Sequence, residues 1–302
     1  MAFALLDPVF DAITKPLRNP LESSLNTSRL PGERYDAPLG DKGYFGPDSI
    51  TWKVHADPAM FIGGFAALIL QTLHPLAMAG VAEHSDFKIR PLVRLSRTGS
   101  FLASTTYGPT EVANKAINIV TKMHKKVNGT APDGRKYSAL DPDLLTWVHA
   151  CEVYCFVKAN RRYSLNRISK NQIDQYLAEY SVIPIKLGAT WVPKSYMELK
   201  SYFEEIKPEL KATDEALDTI DFLFNPKPKS PAAVNLGYKT LLFGSVRIIP
   251  DWATSMLKMT KTPEIFGVGI ETGAVWSMLN FLRFILQGNR IVEESIKRIE
   301  SE

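Results

Sequence analysis

The chain has 302 residues, of which 45% are apolar, 10% aromatic and 23% charged, a composition that supports a large hydrophobic core and excludes intrinsic disorder. Its 36 basic and 32 acidic side chains leave a net charge of +4 at pH 7, spread without a basic block, so no nucleic-acid partner is expected. Cys151 and Cys155, four apart in a helical pattern, read as small core residues, and a reducing cytoplasm is the expected location.

The opening stretch from Met1 to Pro8 lacks a basic segment followed by a long apolar run, so no secretory signal is expected. Residues 1–45 are rich in Pro, Gly and Asp, with turns indicated at Pro31-Gly32, Pro38-Leu39-Gly40 and Phe45-Gly46-Pro47. They are expected to form an irregular arm around a helical domain over 46–302. A helix should open at Asp57-Pro58, with Asp as cap and Pro at the first position, bend near Pro75 and close at Gly80. Within it, Ala59 to Ala82 runs twenty-four residues without Lys, Arg, Asp or Glu, nominally enough to cross a bilayer. Gln71, Thr72, His74, Pro75 and the glycines at 63, 64 and 80 argue instead for a buried core helix, because polar groups at mid-membrane depth are expensive.

Thr110 to Val127 carries Ala113, Ile117, Val120, His124 and Val127 at alternating steps of four and three, the period of one buried helical stripe. Asn128-Gly129 should stop it. A loop through Asp133 to Ser138 leads to Asp141-Pro142, which opens a helix with Leu145, Val148, His149, Glu152 and Phe156 on one face. Shorter helices follow over Lys170–Tyr180, Tyr196–Ile206 and Asp214–Phe224, then a Pro-rich loop from Asn225 to Pro231. Leu236–Ile249, Trp252–Met259 and a long Thr272–Ile299 complete an expected all-α chain, with no internal repeat and no convincing strand alternation.

Several chemistries are absent from the sequence. The His-x-x-x-His and Glu-x-x-His spacings, Gly-x-Ser-x-Gly, the phosphate-binding loop and Cys-x-x-Cys-His do not occur. Gly267-x-Gly269-x-x-x-Gly273 has the wrong spacing for a dinucleotide loop and no strand before it. Five histidines remain. His55 and His149 read as structural core imidazoles. His124 stands alone on a smooth helical face with few other ligand types nearby, which suits haem: that cofactor brings four equatorial nitrogens and asks for one axial ligand. Haem propionates favour cationic partners, and Arg90, Arg94 and Arg97 share a helical face if the segment is helical. By composition alone such a trio reads equally as a solvated face.

At these residues a resemblance emerges. Leu70-Gln71-Thr72-Leu73-His74-Pro75, Gly80-Val81-Ala82-Glu83-His84-Ser85, Arg94-Leu95-Ser96-Arg97-Thr98, Tyr107-Gly108, His124-Lys125-Lys126-Val127-Asn128-Gly129, Tyr137-Ser138-Ala139, Asp141-Pro142 and Trp147-Val148-His149-Ala150 follow the order of the DUF2236 family. That group is similar to the rubber-oxygenase, or latex clearing, catalytic domain and to the mycophenolic-acid pathway oxygenase. The resemblance covers roughly residues 45 to 285. It implies a globin-like multi-helix fold, haem b held by one proximal histidine, here His124, and dioxygen as co-substrate in the cleavage of isoprenoid double bonds. The rubber oxygenases show Arg-x-x-Lys-Thr on the other side of the haem. Here Arg97 stands where that lysine would, and arginine, always protonated, is a poor iron ligand.

The expectation is therefore a single-domain, haem-dependent oxygenase or oxidase acting on an apolar small molecule. His124 is assigned to the iron, Arg94, Arg97 and Thr98 to cofactor binding, and His74, Glu83, His84 and Arg97 to catalysis, with Glu83 the nearest carboxylate to the family's acid. A non-enzymatic haem or lipid-binding protein is the alternative, and a haem-free helical interaction protein the third reading.

Overall fold

A computed structural model describes residues 33–226, 232–265, 268–286 and 290–300. Its helices are α1 (Ile50–His55), α2 (Ala59–Gln71), α3 (Pro75–His84), α4 (Pro91–Tyr107), α5 (Thr110–His124), α6 (Pro142–Tyr163), α7 (Lys170–Tyr180), α8 (Val182–Leu187), α9 (Tyr196–Ile206), α10 (Asp214–Phe224), α11 (Ala232–Ile248), α12 (Asp251–Met256), α13 (Thr272–Ile285) and α14 (Arg290–Glu300). Two small antiparallel hairpins complete the described residues: β1 (Asn128–Thr130) with β2 (Lys136–Ser138), and β3 (Glu264–Ile265) with β4 (Val268–Gly269). The chain is all-α, as its periodicity indicates.

The core is built on α2, which packs along both α6 and α11. The α2–α6 crossing is tight enough to require glycine: a Cβ at Gly63 would lie 2.8 Å from Phe156 Cδ1 and 3.2 Å from the Cys155 carbonyl oxygen. Trp147, Phe156, Tyr163 and Leu177 are fully enclosed around this crossing, each contributing roughly 1.5–3 kcal/mol by leaving water. Helix starts follow the local chemistry. Asp141 Oδ1 accepts from the Asp143 amide ahead of α6, and Ser169 with Gln172 closes a reciprocal capping box on α7. The described part of the N-terminal arm lies against the core: Tyr35 is enclosed and its hydroxyl meets Ser104 Oγ at 3.0 Å. The rest of that arm lies outside the described residues.

The bend expected near Pro75 is present, as a break over Thr72–His74 at which α2 and α3 meet at 105°; two other expectations need correction. His74 takes extended geometry (φ −87°, ψ 113°), as a residue before proline does, and Pro75 begins the new helix. Gly80 does not close that helix, which runs on to His84. The long C-terminal helix is two, α13 and α14, flanking residues 287–289, which lie outside the description, as do Gly267 and most of the Asn225–Pro231 loop. No single described helix is long and apolar enough to cross a membrane; the bent α2–α3 pair meets that test only as a pair.

Candidate functional site

The C-terminal turn of α3, the N-terminal half of α4, the last turn of α5 and the β1–β2 hairpin converge on one corner of the fold. α4 lies beside α5, and α3 touches both hairpin strands. The α5 stripe is real: Ala113 and Ile117 are buried on it, and the stripe ends at His124, the helix's last residue.

The His124 ring is half-buried, and its Nδ1 is enclosed with no hydrogen-bond partner. Burial first, and then the charge of Arg94, hold its pKa below the usual histidine value, so the ring is neutral and carries a free lone pair at neutral pH. Arg94 is itself half-buried, and its Nη1 donates to Ser85 Oγ at 2.9 Å. Burial lowers the Arg94 pKa, without coming near to discharging a guanidinium. The other two arginines of the motif differ. Arg97 is exposed, and Arg90, at the start of α4, is exposed and paired with Asp86. Thr98 donates its hydroxyl to the Arg94 carbonyl at 3.2 Å, tying its side chain to its own helix.

Next to Ser85 stands a second group. Tyr137, buried on β2, donates its hydroxyl to the Glu83 carboxylate, and His84 Nε2 approaches the same hydroxyl at 3.2 Å. Glu83 Oε2 and His84 Nε2 are 4.0 Å apart. Burial, reinforced by the hydrogen bond and the charge of Glu83, pushes the Tyr137 pKa up to about 12. The hairpin fits this group closely. A Cβ at Gly129 would lie 2.6 Å from the Tyr137 hydroxyl and 2.9 Å from Glu83 Oε2, so only glycine leaves room. Neither Tyr137 nor Ser85 receives a role in the sequence reading, although both stand in the ordered motifs. The one available signal was Tyr137 as the inward residue of a Lys-Tyr-Ser alternation.

His74 is not part of this corner. It precedes α3, whose ten residues span about 15 Å before Glu83 and His84 are reached. Its ring is buried near Trp147, Nδ1 has no partner, and Nε2 lies 3.9 Å from the Glu209 carboxylate. Burial lowers its pKa against the pull of Glu209. Beside it, an open cavity of about 690 Å³ is bordered by Pro75, Arg135, Pro208 and Lys211. His55 and His149 are core residues. His55 bonds Thr106 Oγ1 at 2.8 Å and the Tyr176 hydroxyl at 2.9 Å, while His149 stacks on Tyr180 with Nε2 unpartnered. Burial lowers both pKa values to about 3.

Among the described residues, no three His, Cys, Asp or Glu side chains gather to hold a metal ion by themselves. A metallic cofactor at this corner must bring most of its own ligands. The neutral His124 imidazole, with its unpartnered Nδ1 and the Arg94 cation adjacent, fits one that does.

The chain matches the family model of the ER-bound oxygenase mpaB/B′ and rubber oxygenase catalytic domain over residues 52–265. No curated protein and no solved structure matches the chain.

Proposed function

From the premise that the chain belongs to the family of the ER-bound mpaB/B′ oxygenases and the rubber oxygenase catalytic domain, a family of oxygenases, we propose that it is a haem b-dependent oxygenase. Its substrate in this reading is an apolar small molecule, and dioxygen is the co-substrate. The observation that carries the reading is His124: a neutral imidazole at a helix end, with an enclosed, unpartnered nitrogen beside a half-buried arginine.

Haem, when bound, supplies the redox iron that activates dioxygen. The chain's own residues do the rest. His124 would hold the haem iron through its imidazole. Arg94, held by Ser85, would have its remaining donors free to hold a propionate through charge-assisted hydrogen bonds. Thr98 braces the turn that carries Arg94, and Arg97 supplies a second cation at the solvent edge of the same helix. Glu83, Tyr137 and His84 form a hydrogen-bonded chain along which a proton passes between carboxylate and imidazole. The general acid–base role therefore falls on Glu83 and His84, with His74 a helix length away.

Haem titration of the parent and of His124→Ala tests the assignment. The parent should develop a Soret band at one haem per chain and His124→Ala should lose it, while His149→Ala binds haem and loses mainly stability. Equal haem retention in His124→Ala would sink the proposal. Oxygen uptake that depends on an added apolar substrate separates an oxygenase from a haem or lipid carrier.

A further inference from the structure

Glu152 is an inward-lying acid that the His124 corner leaves unused. It stands midway along α6, where its neighbours one turn away, His149 and Phe156, are enclosed. Glu152 itself is half-buried, yet burial alone raises its pKa to about 7. A carboxyl that keeps surface while being so strongly desolvated faces an interior space and not bulk water. The helix beside it shows the same open room. Gly63 on α2 is closed against Phe156, but a Cβ at the next residue, Gly64, would meet nothing within 4 Å. Gly64, Leu68 and Gln71 share one half-buried face of α2. From that face Gln71 Nε2 donates across to the Val148 carbonyl oxygen at 3.3 Å, one turn before Glu152.

The polar groups around this space select its ligand. The nearest phenols are already engaged, Tyr176 with His55 at 2.9 Å and Tyr180 with Thr105. His149, one turn back on the same face of α6, is held neutral by burial, and its Nε2 is enclosed without a partner. An anionic ligand would meet the acid with no cation to offset it. An ammonium would have to leave water for one half-protonated partner. A hydroxyl both donates and accepts without carrying charge, which matches a protonated carboxyl beside a neutral imidazole. The space also points toward the His124 corner. Arg94, Thr98, Phe101 and Thr105 share one face of α4, and the eleven residues from Arg94 to Thr105 span about 16 Å.

We propose that Glu152, with His149, holds the hydroxyl group of an otherwise apolar substrate and so sets which end of that molecule faces the Arg94–His124 corner. The assignment rests on the oxygenase reading for the reaction, while binding is measured apart from it. Calorimetric titration of the full chain with 1-decanol and with its methyl ether, each with and without supplied haem, tests this. Decanol should bind at one per chain in both forms, about tenfold or more tighter than the ether, which cannot donate. Glu152→Leu should bring the two probes within about threefold of each other, whereas Glu152→Gln, whose amide donates and accepts, should keep the preference. Gly64→Leu, which fills the open room, should weaken both probes alike by about tenfold or more. If Glu152→Leu fails to fold by circular dichroism, infrared difference spectra of the parent at about pH 6, where Glu152 keeps its proton, should show a carboxyl stretch moved by decanol. An unmoved stretch, equal affinity for the two probes, or a preference that survives in Glu152→Leu would overturn the proposal. So would decanol binding confined to the haem-free protein, because the cofactor would then fill the space itself. An intact preference without any Soret band would uphold the hydroxyl site and remove the haem reading.

Discussion

Replacing Glu152 with Gln should make the protein more stable at neutral and alkaline pH and leave it unchanged in acid. Glu152 lies on α6 one turn beyond His149, close enough for its charge to act on Tyr176, Tyr180 and Cys155, all buried. Burial raises its pKa from 4.5 to about 7, and no hydrogen bond or cation among the described residues offsets the loss of water. The folded state therefore holds the proton more tightly than the unfolded chain. The stability tied to this proton is present in full below the unfolded pKa of 4.5 and is lost as pH rises through about 7. The gap of about 2.5 pKa units corresponds to roughly 3–4 kcal/mol at ~1.4 kcal/mol per unit, a ceiling because the carboxylate keeps some exposure. Glutamine has nearly the same shape and nothing to ionise. Urea unfolding of parent and Glu152→Gln from about pH 4 to about pH 8 should give curves that coincide at the acid end and diverge by up to roughly 3–4 kcal/mol at the alkaline end. The difference between the two proteins isolates Glu152, because His55 and His149 act oppositely in both. Their folded pKa values of about 3 mean stability present above about pH 6.5 and lost as pH falls. A constant offset between the curves, or a gap that closes toward alkaline pH, would refute the account of Glu152.

Two further perturbations probe the corner itself. Arg94→Ala removes a charged donor from Ser85 and should cost roughly 1.5–3 kcal/mol, raise the His124 pKa read by NMR titration, and weaken haem binding. Arg97→Ala and Arg90→Ala should stay within about 0.5 kcal/mol of the parent in denaturation, and three indistinguishable mutants would show that the inward turn of Arg94 has no consequence. Gly129→Ala drives a methyl into the Tyr137 hydroxyl and the Glu83 carboxylate, at a cost of about 1–3 kcal/mol. With the hydrogen bond broken, Tyr137 should titrate below about 12 in an ultraviolet phenolate titration; an unshifted curve would count against the closeness of that packing.

The sequence made the long helices plain because their signals are local and repeat. The stripe through Ala113, Ile117 and His124 and the cap at Asp141 need only neighbours within four residues, and α5, α6, α7, α9 and α10 stand within a few residues of where that pattern puts them. What escaped depends on partners far along the chain. Gly80 reads as a helix end by propensity, yet in the fold its Cα faces Val127 and Tyr137, and helix packing outweighs the roughly 1 kcal/mol that glycine costs in a helix interior. The β1–β2 strands have three residues each, too few for a period of two to rise above chance.

The site divides along the same line. The order of motifs names the residues, and the period places His124 on a buried stripe, but neither says which of two arginines three apart turns inward. Three residues at 100° each leave Arg94 and Arg97 about 60° apart around α4. That angle is enough for one guanidinium to reach Ser85 while the other stays in water. The choice belongs to the tertiary structure, because Ser85 follows α3 and comes within reach only once the α2–α3 break has folded α3 back across the hairpin. The same break leaves His74 at the opposite end of α3 from Glu83 and His84, so three residues within one short stretch of sequence serve two different surroundings. Proline at position 75 therefore does more for the site than any ligand motif: by forcing His74 into extended geometry, it sets the direction in which α3 carries its acid and its imidazole to Tyr137.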